Sequence, residues 1–224
     1  MSEPRLVQVR QNVLKRNDVA ARALRERFRA AGTYVVSLVS SPGAGKTALL
    51  EKVLGLLGAE CRVAALVGDL ATDNDARRLA RSGAPVKQIT TGTVCHLEAD
   101  MVAAALEGWP PERPDFLFVE NVGNLVCPAV YDLGQDVNVV ALSVTEGEDK
   151  PLKYPIIFRK ADLVLLTKTD LLEHLPVDVE AIGDALARVM PRPEVLPVSA
   201  VTGHGVGPWL AWLVAQKARP EVHA

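Results

Sequence analysis

The chain has 224 residues, 49% hydrophobic and 23% charged, which is enough material for one sizeable core, while a formal net charge of -2 leaves no basic excess for a nucleic-acid backbone. No stretch approaches the roughly 20 consecutive apolar residues of a membrane helix, and residues 1–33 are charged throughout, so a cytoplasmic protein without membrane or nucleic-acid partners is expected. Three cysteines (Cys61, Cys95, Cys127) exclude a disulfide scaffold and read as reduced thiols, and 4% aromatics leave Val, Leu, Ile and Ala to build the core, as in buried parallel strands.

From Pro4 to Ala31 the apolar residues Leu6, Val9, Val13, Leu14, Leu24 and Phe28 recur at near-helical spacing among Arg, Lys and Glu, which predicts one or two amphipathic helices. They form an N-terminal extension over 1–33, ahead of a domain over 34–217 and a tail over 218–224. Inside the domain, short apolar runs predict about seven strands: Tyr34–Val39, Val63–Val67, Val86–Ile89, Phe116–Val119, Val137–Val144, Leu163–Leu166 and Val195–Val198. Segments at Thr47–Leu57, Asn74–Arg81, His96–Leu106, Val179–Val189 and Pro208–Lys217 carry Ala, Leu, Arg and Glu at helical spacing. Strand and helix alternate, so the fold class is α/β, with a mostly parallel sheet covered on both faces and ligands at the carboxyl ends of the strands.

Ser40-Ser41-Pro42-Gly43-Ala44-Gly45-Lys46-Thr47 follows the first strand and opens a helix, the context of a phosphate-binding loop. Backbone N–H groups over Gly43, Ala44, Gly45, Lys46, Thr47 and Ala48 can surround phosphates; Lys46 is expected at the β and γ phosphates and Thr47 on magnesium. The first position of the motif is Ser40 in place of glycine, and the competing reading is a Gly-rich turn before an ordinary helix. A second element is Phe116 to Gly123, an apolar strand ending in Glu120. That acid can hold a magnesium-bound water, and the Gly123 N–H can meet the γ-phosphate. Alone, this segment reads equally as a strand closing on a solvated acid.

The third element, Thr167-Lys168-Thr169-Asp170, resembles the N-K-x-D loop that reads guanine. Asp170 would accept from the base N1–H and exocyclic amine, and the stem of Lys168 would cover the base face. Thr167 stands where asparagine is usual, which predicts a weaker brace to the phosphate loop. Ser199-Ala200, ending the last strand, resembles the loop that supports the base from the other side, although Ser-Ala is a common pair.

Cys95 and His96 lie at the expected start of a helix, and Cys127 lies just past Gly123. Thiolate with imidazole suits zinc or nickel. The spacing is no zinc-finger pattern, so these side chains would have to meet through the fold; the alternative is a buried cysteine with a capping histidine. Cys61 reads as core packing.

Taken together, these blocks resemble the HypB family, the nickel-incorporation GTPases of [NiFe]-hydrogenase maturation. The resemblance runs through Ser40–Thr47, Gly68–Ala76, Thr90–Leu97, Glu120–Pro128, Ser143–Pro155 and Lys168–Leu171. It implies slow hydrolysis of GTP to GDP with Mg2+, a homodimer in the GTP state, and a Ni2+ or Zn2+ site made by Cys95, His96 and Cys127 at the subunit interface. It also implies a HypA-like accessory protein and the hydrogenase large-subunit precursor as partners. Asp69, Asp73 and Asp75 fall in the family's first switch region. We favour Asp75 with Asp69 near magnesium, against a helix-capping role for Asp73 or Asp75. The sequence begins Met1-Ser2-Glu3-Pro4 and has four histidines, so the N-terminal Cys-rich or His-rich nickel store of many members is not expected. Competing functions are a urease-type nickel accessory GTPase, whose members differ after the fourth strand, a P-loop small-molecule kinase, and a metal-storage protein with a structural nucleotide site.

Overall fold

In a computed structural model, residues 5–110 and 112–219 are described, with side chains from residue 11 onward. Residues 1–4, the side chains of Leu6 and Val9, and the tail beyond Arg219 lie outside the described residues. The element order is α1 (Arg5–Ala31), β1 (Tyr34–Ser40), α2 (Lys46–Leu57), β2 (Val63–Asp69), α3 (Asn74–Ala80), β3 (Val86–Thr90), α4 (Ala99–Ala105) and β4 (Phe116–Glu120). It continues with β5 (Val137–Ser143), α5 (Lys150–Lys153), α6 (Pro155–Arg159), β6 (Leu163–Thr167), α7 (Val179–Val189), β7 (Val195–Pro197) and α8 (Val206–Lys217).

The seven strands form one sheet in the order β3-β2-β4-β1-β5-β6-β7, and every pairing is parallel. Parallel strands need helical crossovers, which cover both faces and explain why most of the strands read as largely apolar runs, the edge strand β3 (Val86–Thr90) with Lys87 and Gln88 excepted. Alternation survives inside those runs. Phe116 and Phe118 of β4 join the cluster under α2 and α8 with Leu50, Leu54 and Trp209. Leu117 and Val119 face the opposite way, into the cluster with Leu24 and Phe28 of α1 and Val102 of α4. A third cluster seats α6 and α7 against β5 and β6 through Phe158, Ile182 and Leu186.

The N-terminal stretch is a single 27-residue helix. Among its described side chains the buried ones are Asn17, Ala21, Leu24 and Phe28, four, three and four positions apart, so one stripe faces the sheet. Val13, expected among the apolar positions, is 42% exposed. The largest departure from the sequence expectation is α4, which begins at Ala99 where His96 was expected. The Leu97 N–H is taken by the side chain of Asn121 and the Ala99 N–H by that of Asn17, so the chain is held in a loop up to Glu98. The short helices α5 and α6, each with a proline in its first turn, are additions to the sequence expectation.

Candidate nucleotide and metal sites

Strand β1 lies between β4 and β5, with Leu38 level with Glu120. Its carboxyl end therefore delivers the Ser40–Thr47 loop beside the acid that closes β4. Gly43 (φ 74°) and Gly45 (φ 90°) turn the loop through left-handed backbone, and α2 starts directly after Gly45. Gly43, Ala44, Gly45, Lys46, Thr47 and Ala48 line a cavity of about 460 Å³ together with Asp69, Asp75, Arg78 and Gly123. Open helix N–H groups and a lysine at such a cavity make it suited to phosphate.

Glu120 is fully buried; its Oε1 accepts from Lys46 Nζ at 2.7 Å and from Thr47 Oγ1 at 2.6 Å. Its Oε2 has no hydrogen-bond partner among the described residues. A buried carboxylate oxygen left unsatisfied costs folding free energy. Behind Thr47, which itself lines the cavity, this carboxylate supplies the oxygen donor chemistry that suits a divalent cation. Of the three aspartates, Asp69 and Asp75 line the cavity. Asp69 Oδ1 also accepts from the Ala71 and Thr72 N–H groups, at 2.9 Å each. Asp73 precedes α3 without making a side-chain cap bond and instead pairs with Arg77 at 2.7 Å. Gly123 packs tightly: a Cβ there would lie 3.0 Å from Pro42 Cα, so the segment after β4 rests on the phosphate loop.

Lys168, Asp170, Ser199 and Ala200 form a second group, at the ends of β6 and β7. Lys168 adopts left-handed backbone (φ 59°), and its stem approaches the phosphate loop, with Cε 3.8 Å from where a Cβ of Gly45 would stand. Ser199 Oγ donates to Asp170 Oδ1 at 2.5 Å and accepts from the Val201 and Thr202 N–H groups. Thr167 does brace the phosphate loop: its hydroxyl donates to the Ala44 carbonyl at 2.6 Å. One hydroxyl is enough because β6 already brings residue 167 to that carbonyl.

Cys95, His96 and Cys127 do meet, with ligand atoms all within 4.8 Å of one another. Strands β3 and β4 flank β2, so the loops that follow them converge over its end. Gly68 in β2 permits this, since a Cβ there would lie 2.8 Å from Leu97 Cγ: the loop crosses β2 in the space a side chain would fill. The two thiols are 2.9 Å apart, and Cys95 Sγ is 4.0 Å from His96 Nδ1. The imidazole lies against Tyr131, with centroids 3.9 Å apart and the rings tilted by 34°, and its Nε2 has Glu98 Oε1 at 3.4 Å. Burial holds the His96 pKa below the usual imidazole range, partly offset by the Glu98 carboxylate. A neutral ring is the ligating form, and two thiols with one imidazole match the preferences of zinc or nickel.

The sequence reading missed Asn17, Glu98, Asn121, Asn124 and Tyr131. Asn121 Oδ1 accepts from Leu97 N and Val122 N, and Asn124 Nδ2 donates to the Cys95 carbonyl at 3.3 Å. For Asn17 there was a signal: an amide side chain on the apolar stripe of an amphipathic helix.

With this geometry in hand, comparison with known proteins decides the family. The nucleotide-binding domain of the CobW/HypB/UreG family matches residues 34–197. A hydrogenase maturation factor HypB of Azotobacter chroococcum mcd 1 is 52% identical over 217 residues, spanning 97% of this chain and 71% of that protein. This chain belongs to the HypB family. Two solved structures agree. HypB from Helicobacter pylori in complex with nickel superposes with a TM-score of 0.85 at 38% identity, covering 93% of this chain and 99% of that one. HypB from Archaeoglobus fulgidus gives 0.84 at 36%, covering 91% and 99%. The fold is that of the HypB P-loop NTPases. Among the described residues, no helix is long and apolar enough to cross a membrane.

Proposed function

We propose that this protein is a GTP-hydrolysing metallochaperone that delivers nickel, or regulates its insertion, during [NiFe]-hydrogenase maturation. The observation that carries the reading is the Cys95, His96 and Cys127 cluster, whose Cys127 lies on the segment that also leans on the phosphate loop through Gly123. Family membership supports the same assignment, and the nickel in the Helicobacter pylori relative supports nickel as cargo.

In this reading Lys46 leaves Glu120 to neutralise the β and γ phosphates, and the Gly43–Ala48 N–H groups hold the rest of the chain of phosphates. Thr47, Glu120 and Asp75, with Asp69 beside them, would hold magnesium, which when bound offsets charge on the phosphate oxygens. Asp170, held by Ser199, reads guanine; Lys168 covers the base face and Ala200 borders it. The motifs supply no glutamine or arginine finger for the γ-phosphate, and Arg78, which lines the cavity, is paired with Glu51 at 2.7 Å, so slow turnover is expected, with GTP as the switch of a cytoplasmic homodimer that closes on GTP. Nickel reaches the cluster from a HypA-like protein and passes to the hydrogenase large-subunit precursor; zinc is the competing ion.

The test is metal titration of wild type, Cys95→Ala and Cys127→Ala by absorption in the thiolate charge-transfer region, each with GDP and with a non-hydrolysable GTP analogue. Loss of one ligand from three is expected to weaken nickel binding by at least about tenfold. Equal affinities in all three proteins would reduce the cysteines to core residues. GTP turnover measured alongside separates the switch from a small-molecule kinase, which would need an acceptor.

A further inference from the structure

Both loops that carry the metal ligands are tied to one side chain of a distant helix. Asn17 is 5% exposed, in the interior of α1, where asparagine is a poor helix former and a buried amide must find partners. It finds two. Its Oδ1 accepts from the Ala99 N–H at 2.9 Å, and its Nδ2 donates to the Asp132 carbonyl at 2.8 Å. Ala99 is the first residue of α4, three positions after His96. Asp132 directly follows Tyr131, the ring that lies against His96, and lies five positions after Cys127.

Two further features hold the second loop on α1. Arg25 reaches both carboxylate oxygens of Asp132, at 2.7 and 2.8 Å. Gly134, at φ 77°, sits so close that a Cβ would lie 2.8 Å from the Ala21 carbonyl oxygen. On the first loop, the residue preceding α4 is Glu98, which makes no side-chain cap bond to its own helix. Asn17 satisfies the open Ala99 N–H from outside the helix, and the Glu98 carboxylate lies 3.4 Å from His96 Nε2. One amide thus fixes the separation of the two backbones that present Cys95 and His96 on one side and Cys127 on the other.

We propose that Asn17 is a positioning residue of the metal site, and that α1 sets metal affinity by clamping the two ligand-bearing loops at a fixed distance. The proposal rests on the reading of Cys95, His96 and Cys127 as metal ligands. Its physical basis is that coordination distances tolerate only about 0.2 Å, so a small change in loop separation costs affinity where it costs little elsewhere.

The experiment titrates the full chain with Ni2+, and separately with Co2+ as a spectroscopic probe, in wild type, Asn17→Leu, Asn17→Asp, Leu24→Ala and Cys95→Ala. Asn17→Leu removes both hydrogen bonds; Asn17→Asp keeps the acceptor for Ala99 and loses the donor to Asp132. Both are expected to weaken Ni2+ by about tenfold or more, Asn17→Asp less than Asn17→Leu, and to shift the Co2+ ligand-field bands. Leu24→Ala loosens the packing of α1 without touching either bond; it should lower the thermal midpoint and keep wild-type affinity and bands. Should Asn17→Leu fail to fold, Asn17→Asp carries the comparison. Wild-type affinity and bands in the folded Asn17 variants, with Cys95→Ala weakened, would overturn the clamp and leave the metal site standing. The clamp also falls if Leu24→Ala and the Asn17 variants lose affinity alike, because general loosening then accounts for the effect. Wild-type affinity in Cys95→Ala would instead remove the metal site itself, and the clamp with it.

Discussion

At the scale of single residues, the nucleotide site turns on one buried charge pair. Lys46 and Thr47 both donate to one oxygen of Glu120, while the other oxygen has no partner among the described residues. Removing the ammonium leaves a buried carboxylate without its counter-charge and phosphates without theirs. Lys46→Ala is therefore expected to lower GTP affinity by at least about a hundredfold, on the order of 3 kcal/mol for a lost charge-assisted contact. Isothermal titration with GTP and GDP measures it, and binding at the wild-type level would remove the phosphate role of the loop. At the other end of the nucleotide, Ser199 fixes one oxygen of Asp170. An amide at that position both donates and accepts where a carboxylate only accepts. Asp170→Asn should accordingly shift preference from GTP towards XTP, read by competition between the two; unchanged discrimination would count against Asp170 as the guanine reader.

At the scale of elements, three segments share the space around the phosphate loop, and each contact has a consequence. The segment after β4 approaches so closely that a methyl at Gly123 would stand 3.0 Å from Pro42 Cα, and backbone on both sides cannot give way freely. Gly123 lines the cavity, and if its N–H meets the γ-phosphate as proposed, Gly123→Ala is expected to weaken GTP more than GDP and to leave the fold intact by circular dichroism. Equal weakening of both nucleotides would assign the glycine to packing alone. From the other side, Thr167 at the end of β6 donates to the Ala44 carbonyl. Thr167→Val keeps the shape and removes the bond, which leaves a buried carbonyl unsatisfied and should cost about 1–3 kcal/mol in denaturant unfolding. A change well under that range would mean the brace is satisfied in another way.

For the whole molecule, the question is whether nucleotide and metal sense each other. Glu120 at the nucleotide end is followed by Asn121, which accepts from Leu97 beside His96, and then by Gly123 and Asn124, the latter donating to the Cys95 carbonyl. The proposed nucleotide and metal sites thus share one short stretch of backbone. If GTP shifts that stretch, metal affinity differs between GDP and GTP states, and thermodynamic linkage requires metal to change GTP affinity by the same factor. The expected factor is about 5 to 150, the usual span of coupling between sites. Metal titrations in the two nucleotide states, with light scattering on the same samples to follow dimer formation, test coupling and assembly together. Equal metal affinities in both states would leave a metal site without a switch.

What the sequence by itself determined were features written in contiguous residues. The apolar runs located all seven strands: the five inner ones are buried on both faces, while the edge strands β3 and β7 are only partly buried and were marked by short runs. Ser40–Thr47 and Thr167–Asp170 were legible for the same reason: the chemistry of each loop is local to it. The tertiary structure alone decided what lies between distant segments. Cys95 and Cys127 stand 32 positions apart, and they meet because β3 and β4 flank β2, with Gly68 leaving room for the crossing loop. The start of α4 moved to Ala99 because the N–H groups of Leu97 and Ala99 were claimed by asparagines from β4's end and from α1, partners that no helical periodicity can reveal. Asn17 was visible as a polar residue on an apolar stripe, yet its two partners, 82 and 115 positions away, exist only once the sheet has fixed where the loops emerge.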